Sequence, residues 1–260
     1  MMRRGVWLGS VLAVALAVSS CGGDVVVPPA AHEEPVPAPV PAAIPEAGPA
    51  DRLLQLRGTV LARPLAGTID VHAAPGTEKP FMDLATTNPW SQSLRLLVMR
   101  DAIDDDGDLW LRVQLPVWPN GQKGWVPASE VDVSRAKGRI VVDLSRRQLT
   151  RHRRGEVVAR VPVAIGKSST PTPTGRFVVW ARVATGTPSG PYGSYILGLS
   201  GFSETIDPAN WSGEPRLAIH GTDDPTDAGQ AVSSGCIRVF NGLLRHLKDV
   251  PMGTPVEIRA

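Results

Sequence analysis

The sequence predicts a mainly β chain with two β-rich domains in series and one short helix near the C-terminus. Three observations carry that prediction. Between Leu53 and Ser134, and again beyond Gly138, short β-branched or alternating apolar runs recur between Gly, Pro, Asn and Asp, which is strand and turn chemistry. Only NGLLRHLKDV, from Asn241 to Val250, places its apolar residues at helical spacing. The residues ahead of Leu53 are a leader and a proline-rich stretch that cannot bury a core.

At the N-terminus, Arg3 and Arg4 precede an apolar run from Gly5 to Val18, followed by Ser19, Ser20 and Cys21. This is the pattern of a secretory signal over residues 1–21, and the run is short for a bilayer span. The stretch VSSCGG resembles a bacterial lipobox, in which Cys21 becomes the lipidated first residue of the mature protein. A plain signal peptide cut nearby is the other reading. Either way the protein is expected in the cell envelope, and on the lipobox reading it is anchored to the outer face of the cytoplasmic membrane. Residues 22–51 are rich in Pro and Ala, with eight prolines between Val25 and Ala50, and read as an extended spacer.

Residues 52–134 form the first predicted domain. VLARPLAG, TIDVHAAPG, SLRLLVMRD, LWLRVQLP and QKGWVPASEV each read as a strand with its turn, the spacing of a small barrel or sandwich. DDDGD, Asp104 to Asp108, groups carboxylates but lacks the rest of a calcium loop, so an acidic hairpin turn is expected. The order VHAAPG, GDLWLRVQLP, NGQKGWVPASEV resembles a bacterial SH3-like domain of exported wall proteins, which implies a β-barrel that positions or binds rather than catalyses.

After the boundary SRAKG, residues 138–260 form the second domain. RIVVDLSRRQLTRHRRGEVVARV reads as strand, turn, strand, with RHRRGE as an exposed basic turn, and SSTPTPTGRFVVWARV as a loop entering a strand. Residues 184–215, rich in Gly, Ser, Pro and aromatics, read as a long functional or mobile loop. RLAIHG is a strand ending at His220. DDPTDAGQAVSSG is a polar loop that delivers Cys236. NGLLRHLKDV is the helix, with Asn241 placed to cap it and Leu243, Leu244, Leu247 and Val250 on its buried face. GTPVEIRA is the last strand.

The formal net charge of +2 gives no case for nucleic-acid binding and a weak one for anionic envelope polymers. If Cys21 is an anchor, Cys236 has no partner within the chain. A cysteine attacks as thiolate and needs a neighbouring base, for which His220 is the best-placed histidine. Gly235 and Gly221 allow close backbone approach on both sides, and amides near Cys236 could receive an oxyanion. A metal site finds no recognisable spacing among His220, Cys236, Asp223 and Asp224. From the residues alone, a buried structural cysteine beside a turn remains open.

TPTGRF, YGSYILGLSGF, IHG, SSGCIRVFNGLL and GTPVEI, in that order over Gly138 to Ala260, resemble the L,D-transpeptidase catalytic (YkuD) domain. The resemblance implies a β-sandwich fold, Cys236 as nucleophile, His220 as general base, and an oxyanion hole at Gly235 and Cys236, supported by Ser234, Gly221 and Arg238. It implies peptidoglycan stem peptides as substrates, with a donor tetrapeptide, an acceptor amine, a 3→3 cross-link and release of D-alanine. It also implies carbapenem β-lactams as inhibitors, and no cofactor or metal. The family's usual Ser-His-Gly-Cys reads SSGC here, with Ser234 at the second histidine's place, so a non-catalytic wall-binding protein stays open, as does L,D-carboxypeptidase action. A papain-like peptidase would place cysteine before histidine, the reverse of this chain. Tyr192, Tyr195, Phe202 and Trp211 are expected to form a lid.

Overall fold

The structure, a computed structural model, describes residues 58–206 and 214–260. The expected signal segment, Cys21, the proline-rich spacer and Trp211 lie outside the described residues. The first series of strands is β1 (Val60–Pro64), β2 (Thr68–Val71), β3 (Met82–Ala85), β4 (Leu96–Ile103), β5 (Leu109–Gln114), β6 (Lys123–Pro127) and β7 (Val131–Arg135). Five of them pair in the order β6-β5-β4-β1-β7, and β2 pairs with β3. Ile69, Val71 and Leu84 of that hairpin share a core with Val60, Leu96, Leu111 and Val126 of the sheet. Every strand expected here is present. The sequence missed β3, whose MDLA buries Leu84 alone and has no β-branched residue, and β7, whose VDVSR buries only Val131 and was not separated from the QKGWVPASEV strand. Between β4 and β5, the Asp104 carboxylate accepts from Asp106 N (3.1 Å), Asp108 N (2.8 Å) and Trp110 Nε1 (2.7 Å), so DDDGD is an acidic hairpin turn.

The second series is β8 (Gly138–Asp143), β9 (Gln148–Arg153), β10 (Glu156–Pro162), β11 (Ile165–Gly166), β12 (Gly175–Ala184), β13 (Tyr195–Phe202), β14 (Arg216–Thr222), β15 (Ala231–Ser233), β16 (Ile237–Phe240) and β17 (Pro255–Arg259). Eight of these run in the order β10-β9-β8-β17-β12-β13-β14-β16. The long strand β12 is the corner. Its first residues, Gly175–Val178, pair with β17, and the stretch from Val179 to Ala184 pairs with β13, with a register shift between Val179 and Ala181. Bulges of this kind bend a sheet. Residues from both halves, Ile140 and Leu149 on one side and Leu197, Ile219 and Ile237 on the other, therefore meet in one core.

Three expectations are corrected. The basic segment is three strands, not two: Arg151 to Arg153 belong to β9, and the turn is only Arg154-Gly155, both at positive φ (+52° and +89°), the geometry of a tight two-residue hairpin. The expected loop 184–215 contains β13. Its YILGLSGF lacks alternation because β13 lies inside the sheet with both faces covered, and Gly201 lets Phe177 approach to where a Cβ would stand. Finally, the helix at Asn241–His246 is 3₁₀, and Phe240 rather than Asn241 occupies the cap. Leu244, Leu247 and Val250 are buried as expected, with Leu243 partly so.

The two series are joined by only Ala136 and Lys137 and are tied by side-chain amides. Gln92 bonds the backbone of Arg182 in both directions (2.9 and 2.7 Å), and Asn120 does the same to Phe202 (2.8 and 2.8 Å). Leu61 and Leu97 pack on Val178 beside them.

Candidate active site

β14 and β16 are parallel neighbours with Ile219 opposite Ile237, His220 opposite Arg238 and Gly221 opposite Val239. Side chains alternate along strands. Ile219, Ile237 and Val239 are therefore committed to the core, where they are fully buried, and His220 and Arg238 share the other face. Cys236, one residue ahead of β16, falls on that same face. It lines a cavity of about 170 Å³ with His220, Arg238, Arg216, Tyr192 and Ser234. The sequence placed His220 at a strand end; it is inside β14, followed by Gly221 and Thr222.

His220 is buried, with Nδ1 2.8 Å from Gly221 O. A carbonyl can only accept, so Nδ1 carries the proton in the neutral ring and Nε2 is left with its lone pair. Burial pushes the imidazole pKa down to about 4; the Gly221 bond opposes that, the Arg238 cation adds to it, and Asp227 opposes it. Burial likewise raises the Cys236 thiol, against hydrogen bonding from the Ala218 backbone and the Arg238 cation, although the residue is not fully buried and lines the cavity. At neutral pH the pair is a thiol and a neutral imidazole. Such a pair can pass a proton as the sulfur attacks, without carrying a standing charge.

Gly221, expected beside the oxyanion, instead fixes the imidazole. Its carbonyl takes the Nδ1 proton, its N–H donates to Tyr192 O (2.9 Å), and a Cβ there would collide with Asn241 Oδ1 at 2.3 Å. Asn241 is positioned by donating to Pro188 O (2.8 Å) and accepting from Ser194 N (3.1 Å). The segment bearing Tyr192 is thus pinned, and its ring meets His220 edge-on at 5.2 Å. The other expected lid aromatics are elsewhere: Tyr195 and Phe202 are buried on β13, the former's hydroxyl bonded to Arg182 Nε (3.0 Å). Their place in a central strand, hidden by the glycines around them, is the reason.

The turn that carries Cys236 is held by Gly235 and by two residues given no role above, Ser233 and Thr172. Gly235 has φ +117°, a conformation that favours glycine. Its N–H donates to Ser233 Oγ (3.1 Å), and Ser233 Oγ donates to Cys236 O (2.5 Å), so Ser233 bridges the turn and engages the Gly235 amide. Thr172 Oγ1 donates to Gly235 O (2.8 Å) and accepts from Gly166 N (2.8 Å), clamping the turn from beneath. Ser234, in contrast, is exposed. Arg238 pairs with Asp227 (3.2 Å), which also accepts from Thr222 Oγ1 (2.9 Å). Arg216 is held between the rings of Trp180 (3.8 Å) and Phe202 (4.2 Å) and donates to Pro116 O. The only advance signs of Thr172 and Ser233 were the quoted TPTGRF and SSGC; nothing in the sequence marked Arg216.

Residues 137–258 match the sequence profile of the L,D-transpeptidase catalytic domain family, YkuD. Over that stretch the chain is similar to YkuD domains. Similar proteins include candidate L,D-transpeptidases named YkuD from Bacillus licheniformis, 40% identical over 121 residues, and Bacillus subtilis, 38% identical over 120. Each alignment covers 46% of this chain and 64% of the relative, so the chain spans somewhat under two thirds of their length. Among solved structures, the catalytic domain of the E. faecium L,D-transpeptidase acylated by ertapenem is 27% identical, covers 48% of this chain and 99% of its own, and has a TM-score of 0.37.

Proposed function

We propose that the protein is a peptidoglycan L,D-transpeptidase working through an acyl-enzyme on Cys236. The observation that carries this reading is the shared face of two parallel strands, on which a thiol and an imidazole with a free Nε2 open into one cavity. As Cys236 Sγ attacks the carbonyl carbon of the L,D amide, its proton passes to His220 Nε2. The carbonyl becomes an oxyanion, received at the Cys236 N–H. Its collapse breaks the C–N bond, and His220 returns the proton to the departing D-alanine nitrogen, leaving a thioester. The acceptor amine then attacks the thioester, gives a proton through His220 to the leaving sulfur, and a 3→3 cross-link results. Were water the acceptor, the same thioester would give L,D-carboxypeptidase action.

The serine at the usual histidine's place speaks little for an inactive domain, because Ser234 is exposed and Ser233 makes the bonds of the turn. The test is intact mass after incubation with a carbapenem, together with D-alanine release and dimer formation from a tetrapeptide stem. Cys236→Ala should form no adduct. His220→Ala should slow acylation by about 10²- to 10⁴-fold, the usual worth of a general base. A folded parent protein that takes no adduct and releases no D-alanine would overturn the reading.

The first strand series is read as an SH3-like positioning domain, and the chain as exported and lipid-anchored through Cys21. Membrane fractionation of Cys21→Ser checks the anchor: the variant should leave the membrane fraction or remain unprocessed, and a parent-like distribution would refute it.

A further inference from the structure

Where the two domains meet, away from any residue that lines the cavity at Cys236, lies a larger cleft of about 570 Å³. Arg95 comes to it from the residue just ahead of β4, Arg135 and Lys137 from the two-residue junction and its edge, and Arg151, Arg153 and Arg154 from β9 and its turn. Among the described residues that line it there is one carboxylate, Asp249. Six cations less one carboxylate leave a formal +5 in this cleft, against +2 for the whole chain. The basic excess is therefore concentrated here and offset elsewhere.

Asp249 is largely spent on Arg151, which it holds in two bonds (2.5 and 3.0 Å), with Arg153 further off at 3.6 Å. Arg151 also donates to His246 O, so this residue is part of the frame. Arg135, Lys137, Arg153 and Arg154 are at exposed positions, and Arg95 is half-buried. His152, between Arg151 and Arg153, has a buried Nδ1 with no hydrogen-bond partner among the described residues. Burial, with Arg139 and Arg160 near it, holds its pKa below the ordinary histidine value. Those two arginines line a second basic hollow that shares His152 with the cleft and lies on the opposite face of β9 from Arg151 and Arg153. Like charges gathered at one place destabilise the fold unless an anion relieves them.

We propose that this interdomain cleft binds a linear polyanion, a chain bearing phosphate or carboxylate groups at intervals. Guanidinium groups grip both kinds of oxyanion in paired hydrogen bonds. A concave site with cations on both walls suits a strand that can enter it, whereas a planar bilayer would meet only the rim. The ligand needs no chemistry at Cys236, so this site stands or falls independently of the proposed reaction.

The test is titration of the full chain with inorganic polyphosphate, poly-L-glutamate and phosphatidylglycerol vesicles. Polyphosphate alone or both soluble polymers should bind at about 0.1 M salt and release at about 1 M, where screening becomes short-ranged; which of the two binds better distinguishes phosphate from carboxylate recognition. Lys137→Glu with Arg154→Glu, both at exposed positions, should weaken binding at least about tenfold, since each removes and reverses a cation worth up to a kcal/mol at a surface. Lys137→Gln alone should give a smaller loss in the same direction. Failure of both polymers to bind, binding that neither variant weakens, or binding to vesicles without binding to either soluble polymer would overturn the proposal.

Discussion

At His220, the same burial that shapes the site sets its response to pH. The imidazole sits at about 4 in the folded chain, against 6.5 for the ordinary group. Between those two values the unfolded chain takes up a proton that the folded chain refuses. Stability therefore falls as pH drops through that window, by about 3 kcal/mol in all at about 1.4 kcal/mol for each unit of difference. His220→Ala deletes this linkage while adding a pH-independent cavity cost, so denaturant melts at pH 7 and near pH 4 should differ less for the variant than for the parent. An equal difference in both would refute a neutral buried His220. The catalytic counterpart is the acid limb of kcat/KM, which reports the free enzyme. It should lie near pH 4, and a limb centred at 6.5 would mean that the imidazole is hydrated in the working enzyme.

The element that presents the thiol is a turn between β15 and β16 whose bonds converge on Ser233. Ser233→Ala leaves Gly235 N–H and Cys236 O without their partner in a buried place, a loss of about 1–3 kcal/mol. Acylation should slow with it, and by more than for Ser234→Ala. Ser234→His should be tolerated, because its exposed side chain leaves the turn intact. If the Ser234 variants fail while Ser233→Ala acylates normally, the support of the turn has been assigned to the wrong serine. The contrast shows what was legible. The strand carrying His220 could be read because alternation is a local property. The Tyr195 to Phe202 strand could not, because burial on both faces erases alternation and its glycines imitate a loop. Ser233 and Thr172 were equally hidden, since their roles exist only once residues 166, 172 and 235 have been brought together.

Across the whole molecule, the first strand series reaches the cavity at Cys236 through backbone bonds made by its side chains. Gln92 and Asn120 each use the two ends of one carboxamide to satisfy the N–H and C=O of a single residue, Arg182 on β12 and Phe202 on β13, much as a neighbouring strand would. Pro116 adds its carbonyl to Arg216, which lines the cavity and is stacked on Phe202. The orientation of the domains and the shape of the cavity wall are thereby coupled, while Cys236 and His220 are held wholly within the second domain. Gln92→Ala with Asn120→Ala should remove the equivalent of about 1–3 kcal/mol at each position, since the backbone groups lose partners in a part-buried setting. Three consequences should appear together. The short junction at Ala136 and Lys137 should become more susceptible to trypsin, because its protection comes from the domains closing on it. A single unfolding transition should broaden or divide, as cooperativity between domains is lost. In the proposed reaction, KM for the stem peptide should rise more than kcat falls, because the displaced group is Arg216 at the wall and not the reacting pair. A double variant that resists trypsin and melts like the parent would show that the apolar contact of Leu61, Leu97 and Val178 holds the domains without the carboxamides.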